Sequence, residues 1–346
     1  MRNLFFFIAL LIGHTALLGQ NSFSFEGREN NPGSKNYYEI QVSDGRDSTF
    51  IPVTVFHGAK PGPVLGITAG IHGYEYPPIL AAQKIIENLD AKQLSGTLIL
   101  VQLANIPAFL GRSPFLNPLD GKNLNRSFPG EDEGSITSHL AHTITQKIIA
   151  RSDFFVDMHA GDSPEDLMPY NAWYNSEAFP EASKKGKAMA LAMGFDYTIR
   201  FQIAKERVLE PSIYCSQEAF HRQIPTVDIE CGRLGMSGEQ ETNKIVSSIF
   251  SLLSHLQMLP NENSNSGPST IITQRTSIRS DHTGIFYSEK HAGDSVTKGE
   301  SIGYITNFFG EQIKEVTANA SGIILYKIGT PPVNKGETLF NIGHLP

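Results

Sequence analysis

His72 and Glu75 stand three residues apart in "GIHGYEYPP", His159 ends the apolar run "DFFVDMH", and Glu230 ends another, "PTVDIE". An imidazole and a carboxylate so closely spaced can converge on one cation, and Zn2+ takes nitrogen and oxygen ligands from such short spacings. Alone, a His-x-x-Glu match is more often a turn histidine beside a solvated glutamate. A third ligand changes that balance. With His159 the set becomes two histidines and one carboxylate, the combination that leaves a catalytic zinc one position for water. Hydrolysis also needs a base that deprotonates the water and returns a proton to the leaving group. Glu230 offers one, since a carboxylate after so apolar a run is paired, solvent-reaching or catalytic. Asp157 and Asp228 each precede these strand-end residues by two positions and so share their side of a strand. Asp157 could orient a ligand from behind or be an ordinary strand-end carboxylate.

Substrate-binding groups are offered by "DGKNLNRSFPG", residues 120 to 130. Arg126 can hold a carboxylate through two parallel hydrogen bonds, and Asn125 can add a third contact. Arg112, earlier in the same loop region, could polarise a scissile carbonyl. Surface ion pairing is the commoner fate of each arginine.

The elements that must carry these residues alternate. Strand-like runs cover residues 63 to 69, 97 to 105, 153 to 159 and 225 to 230, and amphipathic helical segments cover 78 to 89, 138 to 150, 181 to 193 and 239 to 256. Continuous apolar strands separated by helices predict an α/β domain: a mixed, largely parallel sheet with helices on both faces. Such sheets gather their sites at the carboxyl ends of strands, where His159 and Glu230 fall.

After a polar, aperiodic linker, "PNENSNSGPST" (260 to 270), the composition shifts to short alternating runs. "GIFYSEKHAGDSVTKGESIGYI" and "GIILYKIGTPPVNKGETLFNIG" repeat one another and predict two similar β halves packed together over residues 271 to 346. That module resembles the barrel-sandwich fold of biotinyl and lipoyl carrier domains. It lacks the lysine motif those carriers modify, as Lys314 sits in unrelated context, so a structural or substrate-gating part is expected of it.

The 346 residues carry 28 Lys plus Arg against 35 Asp plus Glu, a net charge of −7, with no basic block interleaved with aromatics. A nucleic-acid partner is not expected. The opening "MRNLFFFIALLIGHTALLGQNS" has the charge, apolar stretch and small-residue order of a secretory signal over residues 1 to 19. A retained anchor is the competing reading, but His14 and Thr15 interrupt the apolar segment below the about 20 residues a span needs. The expectation is therefore a secreted or periplasmic catalytic domain over 20 to 259 with no stable span. Cys215 and Cys231 could pair in that compartment or be buried singly.

Four ordered motifs, "GIHGYEYPP", "GKNLNRSFPG", "DFFVDMHAGD" and "TVDIECG", resemble the succinylglutamate desuccinylase and aspartoacylase family of zinc-dependent, carboxypeptidase-like hydrolases over about residues 38 to 259. The resemblance implies one Zn2+ per chain held by His72, Glu75 and His159, and Glu230 as general base and acid. It implies Asn125 with Arg126 on a substrate carboxylate and, through a loop of different length, Arg112 on the scissile carbonyl. The substrate it implies is a small N-acyl amino acid, with a short peptide bearing a free carboxylate, cut by a secreted carboxypeptidase, as the alternative. Asn123 stands where the family often has aspartate. A non-catalytic binding protein on the same fold would be expected to have lost one of these groups. A serine hydrolase is disfavoured because "GESIG" (299 to 303) lies in the β repeat, away from any strand-turn-helix.

Overall fold

The computed structural model describes residues 21–260 and 267–346. The expected signal segment and most of the expected linker thus lie outside the described residues. The chain begins with a small hairpin, β1 (Phe23–Phe25) and β2 (Arg28–Asn30), then β3 (Ser34–Ser43), β4 (Ser48–His57) and β5 (Lys60–Ala69). Next come α1 (Tyr76–Asn88), β6 (Ser95–Val101), α2 (Ile106–Gly111), α3 (Ile136–Lys147), β7 (Phe154–His159), β8 (Glu165–Leu167) and β9 (Tyr170–Asn175). Then follow α4 (Pro180–Ala192), β10 (Tyr197–Gln202), α5 (Cys215–His221), β11 (Thr226–Glu230), α6 (Glu239–His255) and β12 (Thr270–Ile272).

Nine of these strands form one sheet in the order β12-β10-β9-β11-β7-β5-β6-β4-β3. Its centre is parallel, β11 with β7 and β7 with β5 with β6, and it turns antiparallel at β9–β11 and at β6–β4–β3. This is the mixed, mostly parallel α/β sheet that the alternating pattern implies. Strand periodicity sorts the two faces. Val156, Met158, Val227 and Ile229 pack with α1, α4 and α6 in one core. Phe155 packs with Ile136, Leu140 and Ala219 of α3 and α5 in another. Asp157, His159, Asp228 and Glu230 therefore turn to the second face, where the core gives way to a cavity.

The C-terminal strands are β13 (Arg275–Arg279), β14 (Gly284–Tyr287), β15 (Ser295–Val296), β16 (Ser301–Thr306), β17 (Gln312–Thr317), β18 (Gly322–Ile328), β19 (Pro332–Val333) and β20 (Thr338–Gly343). The repeat folds by exchange: β15 of the first half pairs with β18 of the second, and β19 of the second pairs with β14 of the first. Gly299 and Gly336 take matching left-handed conformations, φ 89° and 91°, in the two "KGE" turns. The two parts also interlock. Thr270–Ile272, across the boundary expected at 270/271, extends the large sheet beside β10, and β8, which precedes that boundary, pairs with β18.

Candidate active site

The turn carrying His72 and Glu75 is shaped from both sides. Gly73 lies against α2, where a Cβ would come within 2.1 Å of the Phe109 backbone nitrogen, so only glycine lets the turn approach. Glu75 then occupies the N-cap of α1 without capping it. Pro77 and Pro78 in the first turn remove two backbone donors that a cap would serve, and they suit a helix start. The freed carboxylate instead accepts from His72 Nδ1 at 2.7 Å through Oε1, and from His159 Nδ1 at 2.9 Å and Ala160 N at 3.2 Å through Oε2.

His72, Glu75 and His159 are all buried, and one ligand atom from each lies within 4.8 Å of the other two. Both histidines turn Nδ1 to Glu75 and have Nε2 held from behind. His159 Nε2 meets Asp157 Oδ2 at 3.0 Å, and His72 Nε2 donates to Asn123 Oδ1 at 3.1 Å. These partners fix the rings with both Nδ1 atoms turned to Glu75, where loss of their protons would free them for a metal ion. Burial opposes charge on all three groups, yet the histidines hold Glu75 down at about 2. Burial likewise opposes charge on His159, but Asp157 and Glu75 more than offset it and raise its pKa. The site holds cationic charge against Glu75 by protonating imidazoles, and a divalent cation on the two Nδ1 atoms and the carboxylate would supply that charge in place of the protons. Two nitrogens and one oxygen at this separation fit zinc.

These residues stand in the wall of a cavity of about 850 Å³. β11 pairs with β7 so that Glu230 lies opposite His159 and Asp228 opposite Asp157. Glu230 faces the cavity, and burial, followed by Glu75, Glu165 and Asp228 against the opposing pull of His159, pushes its carboxyl well above the usual range. The "GKNLNRSFPG" loop is pinned by Leu124 and Phe128 in the α3–α5 core. Asn123, Asn125 and Arg126 project from it into the cavity. Asn125 Oδ1 accepts from the Cys215 backbone, Arg126 Nη1 donates to the Asn125 carbonyl, and the Arg126 guanidinium lies 4.6 Å from the Tyr214 ring centre.

Arg112 is not brought to this cavity. It ends α2 in a left-handed conformation, φ 47°, which turns it outward into a separate shallow pocket with Phe109 and Ser237, where it is exposed. Nothing in its spacing could signal that turn. Cys215 and Cys231 are both free and buried. Sequence reading gave no part to Glu165, Tyr170, Tyr174 or Ser216, or to Arg275 and Tyr326 of the β repeat, all of which line the cavity. A β alternation shows which residues leave their own core but not which of them meet a neighbouring cavity. Asn123, read only as a missing carboxylate in a substrate loop, proves to be the partner of His72.

A family model for the succinylglutamate desuccinylase/aspartoacylase catalytic domain matches residues 61–256, more than half of the chain. The chain belongs to this family. Among curated relatives it is 30% identical over 302 residues to the N-alpha-acetyl-L-2,4-diaminobutyric acid deacetylase of Halomonas elongata, covering 84% of this chain and 85% of that protein. Two solved structures share the fold. The product-bound ectoine utilization protein EutE (DoeB) of Ruegeria pomeroyi aligns with a TM-score of 0.82 at 22% identity, over 91% of this chain and 96% of that one. A succinylglutamate desuccinylase/aspartoacylase of Rhodobacter sphaeroides aligns with a TM-score of 0.81 at 22% identity, over 95% and 99%. Desuccinylase/aspartoacylase family members are hydrolytic enzymes, and the β repeat is part of the shared architecture, since both alignments extend well past the catalytic domain.

Proposed function

We propose that this family member is a zinc-dependent deacylase that hydrolyses the amide bond of a small N-acyl amino acid. The observation that carries the reading is the gathering of His72, Glu75, His159 and Glu230 on one wall of a cavity that also presents Asn125 and Arg126. Zinc held by His72, Glu75 and His159 would draw the pKa of a bound water towards about 7 and polarise the acyl carbonyl. The chain's own groups do the rest. Arg126 and Asn125 hold the substrate carboxylate. Glu230, facing the cavity opposite His159, takes the proton that water loses as its oxygen bonds to the carbonyl carbon. As the C–N bond breaks, Glu230 returns that proton to the departing amine, leaving a carboxylic acid and a free amino acid. Asp157 and Asn123 keep the imidazoles oriented throughout.

A small substrate is favoured over a polypeptide because Arg275, Tyr326 and Asn341 of the C-terminal strands wall the cavity. The Halomonas relative, a deacetylase of an acetylated amino acid by name, supports the same substrate class. We assign the activity to a secreted or periplasmic protein on the signal-like residues 1 to 19.

The test is amine release by the purified chain from N-acyl amino acids and from free-carboxylate peptides, with and without a zinc chelator. Chelator-sensitive release confined to the first panel is the expected result. Cleavage of the peptides would make the chain a carboxypeptidase.

A further inference from the structure

Three neighbouring strands bring His159, Glu230 and Tyr170 into one row. β11 runs parallel to β7 with Glu230 beside His159, and antiparallel to β9 with Glu230 beside Tyr170. Residues directly opposite in a ladder face the same way, and all three line the cavity. The Tyr170 Cα thus lies about 5 Å from that of Glu230 and about 10 Å from that of His159. A phenol there reaches over the space between the proposed metal site and the proposed base.

The ring of Tyr170 is fixed while its hydroxyl is idle. It is buried in the core shared by the sheet and the β repeat, with Leu167 and Ile199 on one side of the boundary and Phe340 on the other. Among the described residues nothing forms a hydrogen bond with its hydroxyl. Other donors of the wall are engaged: the Tyr174 hydroxyl meets Asp228 and Ser216, Asn123 holds His72, and Arg126 donates to the Asn125 carbonyl. Tyr326, a second phenol of the wall, stands opposite Leu167 and outside the row. Burial, then the charge of Glu230, pushes the Tyr170 phenol far above its ordinary value, so it stays a neutral donor.

Attack of water on an amide carbonyl gathers negative charge on its oxygen, and fixed donors aimed at that oxygen in a water-poor site lower the barrier. The family resemblance implied Arg112 for that part, and the fold turns Arg112 outward into another pocket. We infer that Tyr170 is a further catalytic residue, whose hydroxyl donates a hydrogen bond to the oxyanion of the tetrahedral intermediate formed beside Glu230. No proton leaves the phenol. Its O–H bond stays intact while the water proton passes to Glu230, and the hydrogen bond weakens as the C–N bond breaks and the carbonyl re-forms. The inference rests on the deacylase reading and adds a residue to it. It also gives the β repeat a share in catalysis, since the core it contributes holds the donor in place.

The experiment compares the zinc-loaded parent with Tyr170→Phe and, as a control from the same wall, Tyr326→Phe, on the N-acetyl amino acid that the parent cleaves fastest. Calorimetric binding is measured alongside for the free amino acid and for its N-methylphosphonyl derivative, whose tetrahedral phosphorus carries an oxyanion. Y170F should keep the zinc content of the parent and lose about a hundredfold in kcat with KM within about threefold, the loss typical of one oxyanion donor. Affinity for the phosphonyl derivative should fall in step with kcat while that for the free amino acid holds, because the hydrogen bond is made to the tetrahedral state. The acid limb of kcat/KM against pH should stay where it is in the parent. A limb moved upward would make Tyr170 a support of the Glu230 carboxylate and overturn the inference. Y170F turnover within about threefold of the parent, equal weakening of both ligands, or a larger loss in Y326F would also overturn it, with the deacylase reading intact. Should Y170F fail to fold, a ring-fluorinated tyrosine at position 170 keeps the hydroxyl, and its fluorine resonance should move with the phosphonyl derivative and not with the free amino acid. An unmoved resonance would overturn the inference. A parent that deacylates no N-acyl amino acid would overturn both readings.

Discussion

Glu75 occupies a position where a helix would ordinarily use its carboxylate as a cap, and here two imidazoles take it instead. The proposed division of labour separates holding a cation from moving a proton, and substitution can pull the two apart. Glu230→Gln keeps the shape of the wall and removes the proton acceptor, so turnover should fall by at least about a hundredfold with zinc content unchanged. Turnover within about tenfold of the parent would show that another group is the base. Glu165 gives a pH-dependent counterpart. Burial, then the charge of Glu75, pushes its carboxyl up to about 7. Against an unfolded value of about 4.3, the folded chain holds a proton that the unfolded chain has lost, so its contribution to stability falls as pH rises through that window. In chelator-treated protein, Glu165→Gln should therefore gain in Tm relative to the parent between pH 5 and pH 8, by a few degrees, as read by thermal melts. The same offset at both pH values would count against it. At this scale sequence carries far when a residue ends a buried strand: His159 and Glu230 had their direction set by the β period itself. Arg112 had no such guide, because a single left-handed residue at the end of α2 decided where it pointed.

At the scale of elements, legibility followed periodicity. α1, α4 and α6 start and stop within two residues of the helical segments expected from their apolar spacing, because each buries one stripe against the sheet. The run expected over 97 to 105 leaves the sheet at Val101, because its last residues serve another element: Asn105 accepts from the Ala108 backbone and caps α2. Apolar content alone does not announce that exchange. The contact of α2 with the turn of His72 and Glu75 is tight enough to test. Gly73→Ala places a methyl on the Phe109 backbone, so either the turn or α2 must shift. A cost of about 1–3 kcal/mol in denaturant unfolding is expected, with weaker zinc retention, because His72 moves with the turn. Undiminished zinc affinity would mean that α2 gives way. Another joint is Asp166 on β8, which is buried, receives the Ala292 backbone N–H and meets Arg233 at 2.6 Å. Asp166→Ala leaves that buried donor unmet and should cost about 1–3 kcal/mol.

For the molecule as a whole, the three proposed zinc ligands come from the end of β7 and the turn that follows β5, which meet only when the central sheet has closed. Metal bound there is bound by the folded state alone, so zinc at about a hundred times its dissociation constant should stabilise by about 2.7 kcal/mol, read as a Tm several degrees higher than in chelator. Equal melting with and without zinc would argue that the cluster holds no ion.

The joining of the two parts has a consequence of another kind. β12, beyond the connecting segment, completes the large sheet, while β8, before it, extends the smaller one, so each part holds a strand of the other. A peptide bond cut between residues 261 and 266 would therefore not release a free catalytic fragment. The two pieces would stay clasped, and two polypeptides expressed separately would have to complement one another, since neither alone completes its own sheets or the wall that Arg275, Tyr326 and Asn341 contribute.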